Sequence, residues 1–201
     1  MDIYAKNSGF KRSYMGSVVT APSATAITDI TNTSSGVKVQ WRKASGASGY
    51  YIYRQSGQGS WYKVGTTSSL NYIDRSVSNG QLYRYKICAY NSGGTGNSSS
   101  AVTICYVSRP KITSIKNNAK KALTMKWKKH AQASGYQIQC SLKSNFSGAR
   151  TVSAGKSSTS KKLSSLTKGK TYYVRLRSYK TVSGKKYYSE WSTSMKKKVS
   201  K

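Results

Sequence analysis

The carboxylates, imidazole and thiols of this 201-residue sequence number eight: Asp2, Asp29, Asp74, Glu190, His130, Cys88, Cys105 and Cys140. Glycoside cleavage needs two acids flanking one bond, yet the four carboxylates fall on separate segments. A Ser-His-Asp or Cys-His arrangement would rest on His130 alone, which follows Lys129 at the end of an alternating segment and reads as an exposed loop residue. The cysteines form no Cys-x-x-Cys pair and lack metal-ligand spacing. Glycines fall in turns, not in a phosphate-cradling loop before a helix, and no Arg-Gly-Asp triplet occurs. No catalytic, cofactor-binding or metal-binding residue is assigned. What remains is binding.

Charge and rings could carry it. The 35 Lys and Arg against 4 Asp and Glu give a net charge of +31. Residues 1–109 hold 12 basic and 3 acidic residues, or +9, whereas residues 110–201 hold 23 and 1, or +22. Such a field attracts polyanions of any identity: a phosphate-bearing cell-wall polymer, acidic polysaccharide, an acidic protein or anionic lipid surface. It also serves solubility, and charge of one sign does not by itself define a site. The candidate polyanion-binding residues are Lys120, Lys121, Lys126, Lys128, Lys161, Lys162, Lys196, Lys197 and Lys198. Their spread over strands and loops suits diffuse attachment that weakens with salt. Nucleic acid is expected to bind only non-specifically, since no helix is available for the major groove.

A second candidate surface is Tyr51, Tyr53 and Trp61, outward rings that could stack on sugar or on a protein partner, although tyrosine also simply suits an exposed strand. No apolar run is long enough to span a bilayer, and no signal segment begins at Met1, so a secreted protein would carry its signal elsewhere. Charge repulsion favours a monomer at low salt.

The elements that must position these residues occur twice. Trp41, Ala47-Ser48-Gly49-Tyr50 and Ile52 recur as Trp127, Ala133-Ser134-Gly135-Tyr136 and Ile138, each 86 residues later without a gap. That period is too long for a solenoid repeat, about 20–50 residues, and suits a sandwich domain of ~100. Val37, Val39 and Trp41 alternate with Lys38, Gln40 and Arg42, while Tyr83, Tyr85, Ile87 and Ala89 alternate with Arg84, Lys86 and Cys88. The first strand is expected over 24–33, a loop over 91–97, and a last strand over 101–107. In the second half the stretch through Phe146 reads as irregular, and 187–199 as one closing strand. The expected division is 1–22 as an irregular lead-in with Lys6, Lys11 and Arg12, 23–108 as the first domain and 109–201 as the second. Ser108-Arg109-Pro110 is a linker too short to act as a flexible leash. Folding the hairpin about Gly93-Gly94 puts Cys88 near Ser99 and leaves Cys105 out of disulfide range, so three free thiols are expected, as in a reducing or anaerobic setting.

Seven strands per unit, a Trp on the second, Gly-Tyr-x-Ile on the third and a Tyr opening the sixth resemble a fibronectin type III domain in both halves, an all-β, immunoglobulin-like sandwich. The resemblance implies that Trp41 and Trp127 are core tryptophans and that Tyr83 and Tyr172 tie the preceding corner to the backbone. Tyr188-Ser189-Glu190-Trp191-Ser192 is similar to half of the Trp-Ser-x-Trp-Ser box of cytokine receptors, with Trp191 lying across Arg175 and Arg177, a structural role in preference to a ligand site. The second unit looks like repeats of Gram-positive surface and secreted proteins. It implies a non-catalytic, extracellular or cell-surface spacer and interaction module within a larger protein; the alternative is an accessory carbohydrate-binding module of a secreted carbohydrate-active enzyme.

Overall fold

The computed structural model describes residues 18–200, so the expected lead-in cations Lys6, Lys11 and Arg12 lie outside the described residues. Among those residues there is no helix. The first half forms β1 (Ile27–Thr33), β2 (Gly36–Trp41), β3 (Gly49–Ser56), β4 (Trp61–Thr67), β5 (Asn71–Asp74), β6 (Leu82–Asn91), β7 (Gly94–Ser98) and β8 (Val102–Cys105). The second forms β9 (Ile112–Ala119), β10 (Ala122–Trp127), β11 (Gly135–Ser141), β12 (Arg150–Gly155), β13 (Ser160–Leu163), β14 (Thr171–Val182), β15 (Lys185–Tyr188) and β16 (Met195–Lys198). In each half a three-stranded sheet, β1-β2-β5 or β13-β10-β9, faces a five-stranded one, β4-β3-β6-β7 with β8 also on β6, or β12-β11-β14-β15 with β16 also on β14. The all-β expectation of two sandwiches in series holds.

The 86-residue echo is a packing unit. Trp41 meets Tyr50 edge-on with ring centres 5.4 Å apart, and Trp127 meets Tyr136 in the same way at 5.3 Å. All four are buried beneath the sheets. Each tyrosine hydroxyl then accepts the backbone N–H of the preceding loop, that of Ala44 at 3.1 Å and that of His130 at 2.8 Å. The shared glycine follows from close approach: a Cβ on Gly49 would lie 2.6 Å from the Tyr90 ring, and one on Gly135 2.5 Å from the Tyr179 hydroxyl. The corner tyrosines are also in place, with Ser78 N–H donating to the Tyr83 hydroxyl at 2.8 Å and Thr167 N–H to that of Tyr172 at 3.1 Å.

Several boundaries differ from the sequence reading. The first strand begins at Ile27, not residue 24, and the 91–97 loop is mostly strand, since β6 reaches Asn91 and β7 starts at Gly94. The closing strand is broken in both sandwiches because serine hydroxyls replace ladder carbonyls. Ser99 Oγ accepts Ile87 N–H, and Ser189 and Ser192 Oγ accept the N–H groups of Ser178 and Leu176, each at 3.0 Å. Beyond Phe146 the chain forms β12 and β13, to which the sequence reading gave no bounds; their Ser, Lys, Ala and Gly content is weak in strand propensity but is paired to β11 and β10. Cys88 pairs with Ser98 and Cys105 with Leu82, so the register holds them apart; all three thiols are free and buried.

Candidate binding surfaces

The outer face of the second five-stranded sheet is a stack of rings and guanidinium groups. Arg175 lies between Phe146 and Trp191, its guanidinium carbon 4.1 and 4.6 Å from the ring centres; Arg177 lies between Trp191 and Tyr188 at 4.5 and 4.0 Å. Gln139 and Gln137 fix the two forks from β11, accepting Arg175 Nε–H at 2.8 Å and two Arg177 N–H groups at 3.0 and 2.8 Å. Burial pulls both arginine pKa values down, yet the groups remain cationic. Trp191 is sandwiched, which suits a structural spine.

Tyr51, Tyr53 and Trp61 lie on the matching face of the first sandwich, all half-buried. Tyr51 stacks on Tyr90 with centres 4.3 Å apart and carries Lys63 Nζ at 4.6 Å. Lys86 Nζ reaches Trp61 at 4.8 Å and Tyr53 at 5.8 Å, and Arg84 covers Trp61 at 5.6 Å. A sugar stacking on these rings would have to displace a cation.

The nine candidate lysines separate into distinct regions. Lys120 and Lys121 occupy the β9–β10 turn. Lys126 and Lys162 lie on the outer face of the three-stranded sheet, where Lys116, Thr124 and Lys162 form one cross-strand row and Ser114, Lys126 and Ser160 the next. Lys128 follows the end of β10 and is exposed. Lys161 parts from Lys162: it pairs with the inward Met125 and is half-buried at the sheet edge. Lys196 and Lys198 belong to the other sheet, opposite Tyr173 and Thr171, while Lys197 pairs with the inward-facing Tyr172. A single patch is therefore ruled out; the lysine that the reading missed on the shared face is Lys116.

Residues 108–195 match the family model described as "Fibronectin type III domain". The second sandwich is a fibronectin type III domain. The first repeats its plan strand for strand, so the chain holds two sandwiches of one topology in series. Curated relatives include the amylopullulanases of Thermoanaerobacterium saccharolyticum and Thermoanaerobacterium thermosulfurigenes, each 31% identical over 97 residues, or 47% of this chain. The match covers 8% and 5% of their lengths, so the chain spans less than a tenth of either. Similar solved structures are the FN1–FN3 domains of chicken CNTN1 (20% identity, TM-score 0.44, 90% of this chain and 69% of that one) and a two-domain fibronectin type III segment of chicken tenascin (21%, 0.45, 89% and 99%).

Asp74 is buried, and its carboxylate accepts Arg54 Nη1–H at 2.8 Å, the Tyr85 hydroxyl at 2.8 Å and Ser76 N–H at 2.9 Å. Burial pulls the Arg54 pKa down, but the Asp74 charge more than offsets it; burial followed by Asp74 pushes Tyr85 up. Asp29 and Glu190 are exposed, and Glu190 lies 3.8 Å from Arg109. Burial pushes the Cys140 thiol up to about 11. Among the described residues no three His, Cys, Asp or Glu side chains gather where a metal ion could be held, and no helix is long and apolar enough to cross a membrane.

His130 is not the exposed loop residue that the sequence suggested. It is half-buried where the sandwiches meet, with Nε2 2.7 Å from Ser108 Oγ and Nδ1 3.4 Å from Asn79 Nδ2. Asn79 also accepts Ser108 N–H at 2.9 Å, and Ser178 donates to Ser108 O at 3.1 Å. On the other side of the junction Asn32 Nδ2 donates to Cys105 O at 3.0 Å and to Tyr188 O at 2.9 Å, and Tyr187 packs against the first core. The linker is clasped from both sandwiches. No local signal could have found this, because the partners are 22 to 156 residues apart.

Proposed function

We propose that these two sandwiches are a non-catalytic spacer and interaction module of a larger extracellular or cell-surface protein, attaching to anionic cell-wall polymer through the outer face of β9, β10 and β13. The observation that carries this reading is the pairing of that face: Lys116, Lys126 and Lys162 stand in adjacent cross-strand rows among Ser and Thr, with no carboxylate in those rows. Strand spacing of about 4.8 Å puts Lys116 and Lys162 ~10 Å apart, a flat grid that a phosphate-bearing polymer can lie across. The clasped junction supports the spacer role, since it holds one basic face at a fixed angle to the next sandwich.

Binding to Gram-positive cell walls with and without their anionic polymer, across a salt series, tests the reading. Binding should require the polymer, fall linearly in log–log with salt, and weaken several-fold in Lys126→Glu with Lys162→Glu. Retention on stripped walls would overturn it.

The similarity to amylopullulanases favours a second reading, an accessory module of a carbohydrate-active enzyme in which Tyr51, Tyr53 and Trp61 help hold polysaccharide. Glucan binding that survives high salt and is lost in Trp61→Ala separates it from the first.

A further inference from the structure

A groove of about 380 Å³ lies between the sandwiches, lined by residues 30–32 of β1, residues 102–104 of β8, residues 185–189 at β15, and Arg177. Successive residues of a strand point to opposite faces. Runs of three to five consecutive residues therefore line a groove only where it meets strands edge-on. Each of the three strands is paired on one side only, β1 with β2, β8 with β6 and β15 with β14. The groove is thus walled by strand edges that have no ladder partner among the described residues, and the Asn32 amide, bonded to Cys105 O and Tyr188 O, ties two of the walls together.

Its chemistry selects between occupants. Arg177, Lys185 and Lys186 give it a cationic rim, and no carboxylate lines it. The rings are engaged already: Tyr188 lies under Arg177 at 4.0 Å, and Tyr187 lies under Lys185 at 5.1 Å while packing on the first core. No ring face is open to a pyranose, whereas main-chain edges without a ladder partner, beyond the Cys105 and Tyr188 carbonyls that Asn32 already holds, are what an extended peptide uses to add a strand. We propose that this groove takes an extended acidic peptide segment, which pairs along the outer edge of β15 and presents its carboxylates to Lys185, Lys186 and Arg177. The site is separate from the basic face of β9, β10 and β13, so either can fail without the other.

Fluorescence anisotropy with the full chain and a short, labelled, end-blocked peptide of alternating Glu and Val tests this at about 0.15 M salt. Saturable binding is expected, weakened about tenfold or more in Lys185→Glu with Lys186→Glu, two exposed positions whose change should leave the melting temperature intact. The same peptide N-methylated at every peptide bond should lose binding to a similar extent, because it has no N–H groups to pair. Lys126→Glu with Lys162→Glu should bind as the parent does, and amide shifts should cluster in β1, β8 and β15. Equal affinity for the N-methylated peptide, or an equal loss in Lys126→Glu with Lys162→Glu, would reduce the effect to charge alone and overturn the proposal. Absence of saturable binding at millimolar peptide would also overturn it, leaving Lys185 and Lys186 as guards of an open edge.

Discussion

At one level of the core the two sandwiches solve the same packing problem with opposite chemistry. Asp74 pairs with Val37 as Leu163 pairs with Leu123, and Arg54 pairs with Tyr85 as Cys140 pairs with Val174. The first sandwich thus encloses a carboxylate and a phenol beneath a half-buried guanidinium where the second has leucine, cysteine and valine. A buried ion pair is weak evidence of added stability, because desolvation offsets most of its attraction, but removing one partner strands the other. Asp74→Ala should therefore cost ~2–3 kcal/mol, chiefly by stranding the buried Tyr85 hydroxyl, read from the unfolding transition of the first sandwich. Writing the second trio into the first, as Arg54→Cys, Asp74→Leu and Tyr85→Val together, should recover most of that loss. A triple variant less stable than Asp74→Ala would show that the polar trio does more than fill space.

The outer faces differ in the same register. Gln137 and Gln139 of the second sandwich stand where the first has Tyr51 and Tyr53, and Arg175 and Arg177 stand where it has Lys86 and Cys88. An arginine fork can stack on a ring and donate hydrogen bonds in its own plane at once, whereas an ammonium is a mobile point charge. The second face is consequently locked throughout, whereas the first has one such fork, Arg84 over Trp61 and bonded to Gln55, and is otherwise held by Lys63 and Lys86, which can move aside. Trp191→Ala should cost about 1–2 kcal/mol from its two cation–π contacts at ~0.5–1 each, seen as a lower melting temperature of the second sandwich. Arg177→Lys keeps the charge but loses the fork to Gln137, and should cost about 1 kcal/mol. Lys86→Ala, over Trp61 and Tyr53, should change stability by less than either. An unchanged melting temperature in Trp191→Ala would count against the spine.

What the sequence made legible were features fixed by local spacing. The Trp41 and Trp127 echo, the corner tyrosines Tyr83 and Tyr172, and the stacking of Trp191 on alternate arginines need only strand period and a familiar order of elements. What it hid depended on register or on distant partners. Lys161 and Lys162 are adjacent in sequence yet fall on opposite sides of β13, because a strand's alternation assigns faces only once its pairing is known. Asp74 passes for a scattered carboxylate until Arg54, 20 residues earlier, is brought over it. The strands β12 and β13 were masked by a composition that reads as loop, and tertiary pairing overrode it.

The smallest difference, and the most position-specific, is Ala44 against His130. Both N–H groups donate to the repeat's tyrosine hydroxyl, but only His130 extends to Ser108 across the junction. His130→Ala should make the second sandwich resemble the first at this point and loosen the junction by about 1 kcal/mol, the net worth of a hydrogen bond. Burial lowers the His130 pKa, with a backbone hydrogen bond at Ala131 opposing it. An unfolded or undocked chain, with the histidine near its ordinary ~6.5, therefore binds the proton first. Docking is unaffected above that value and weakens as pH falls through it. Amide shifts of Asn79 and Ser108 followed from pH 7.5 to 5 should report this undocking, and in His130→Ala the pH dependence should vanish. A dependence that persisted in the variant would assign the titration to another group and return the clasp to a pH-independent contact.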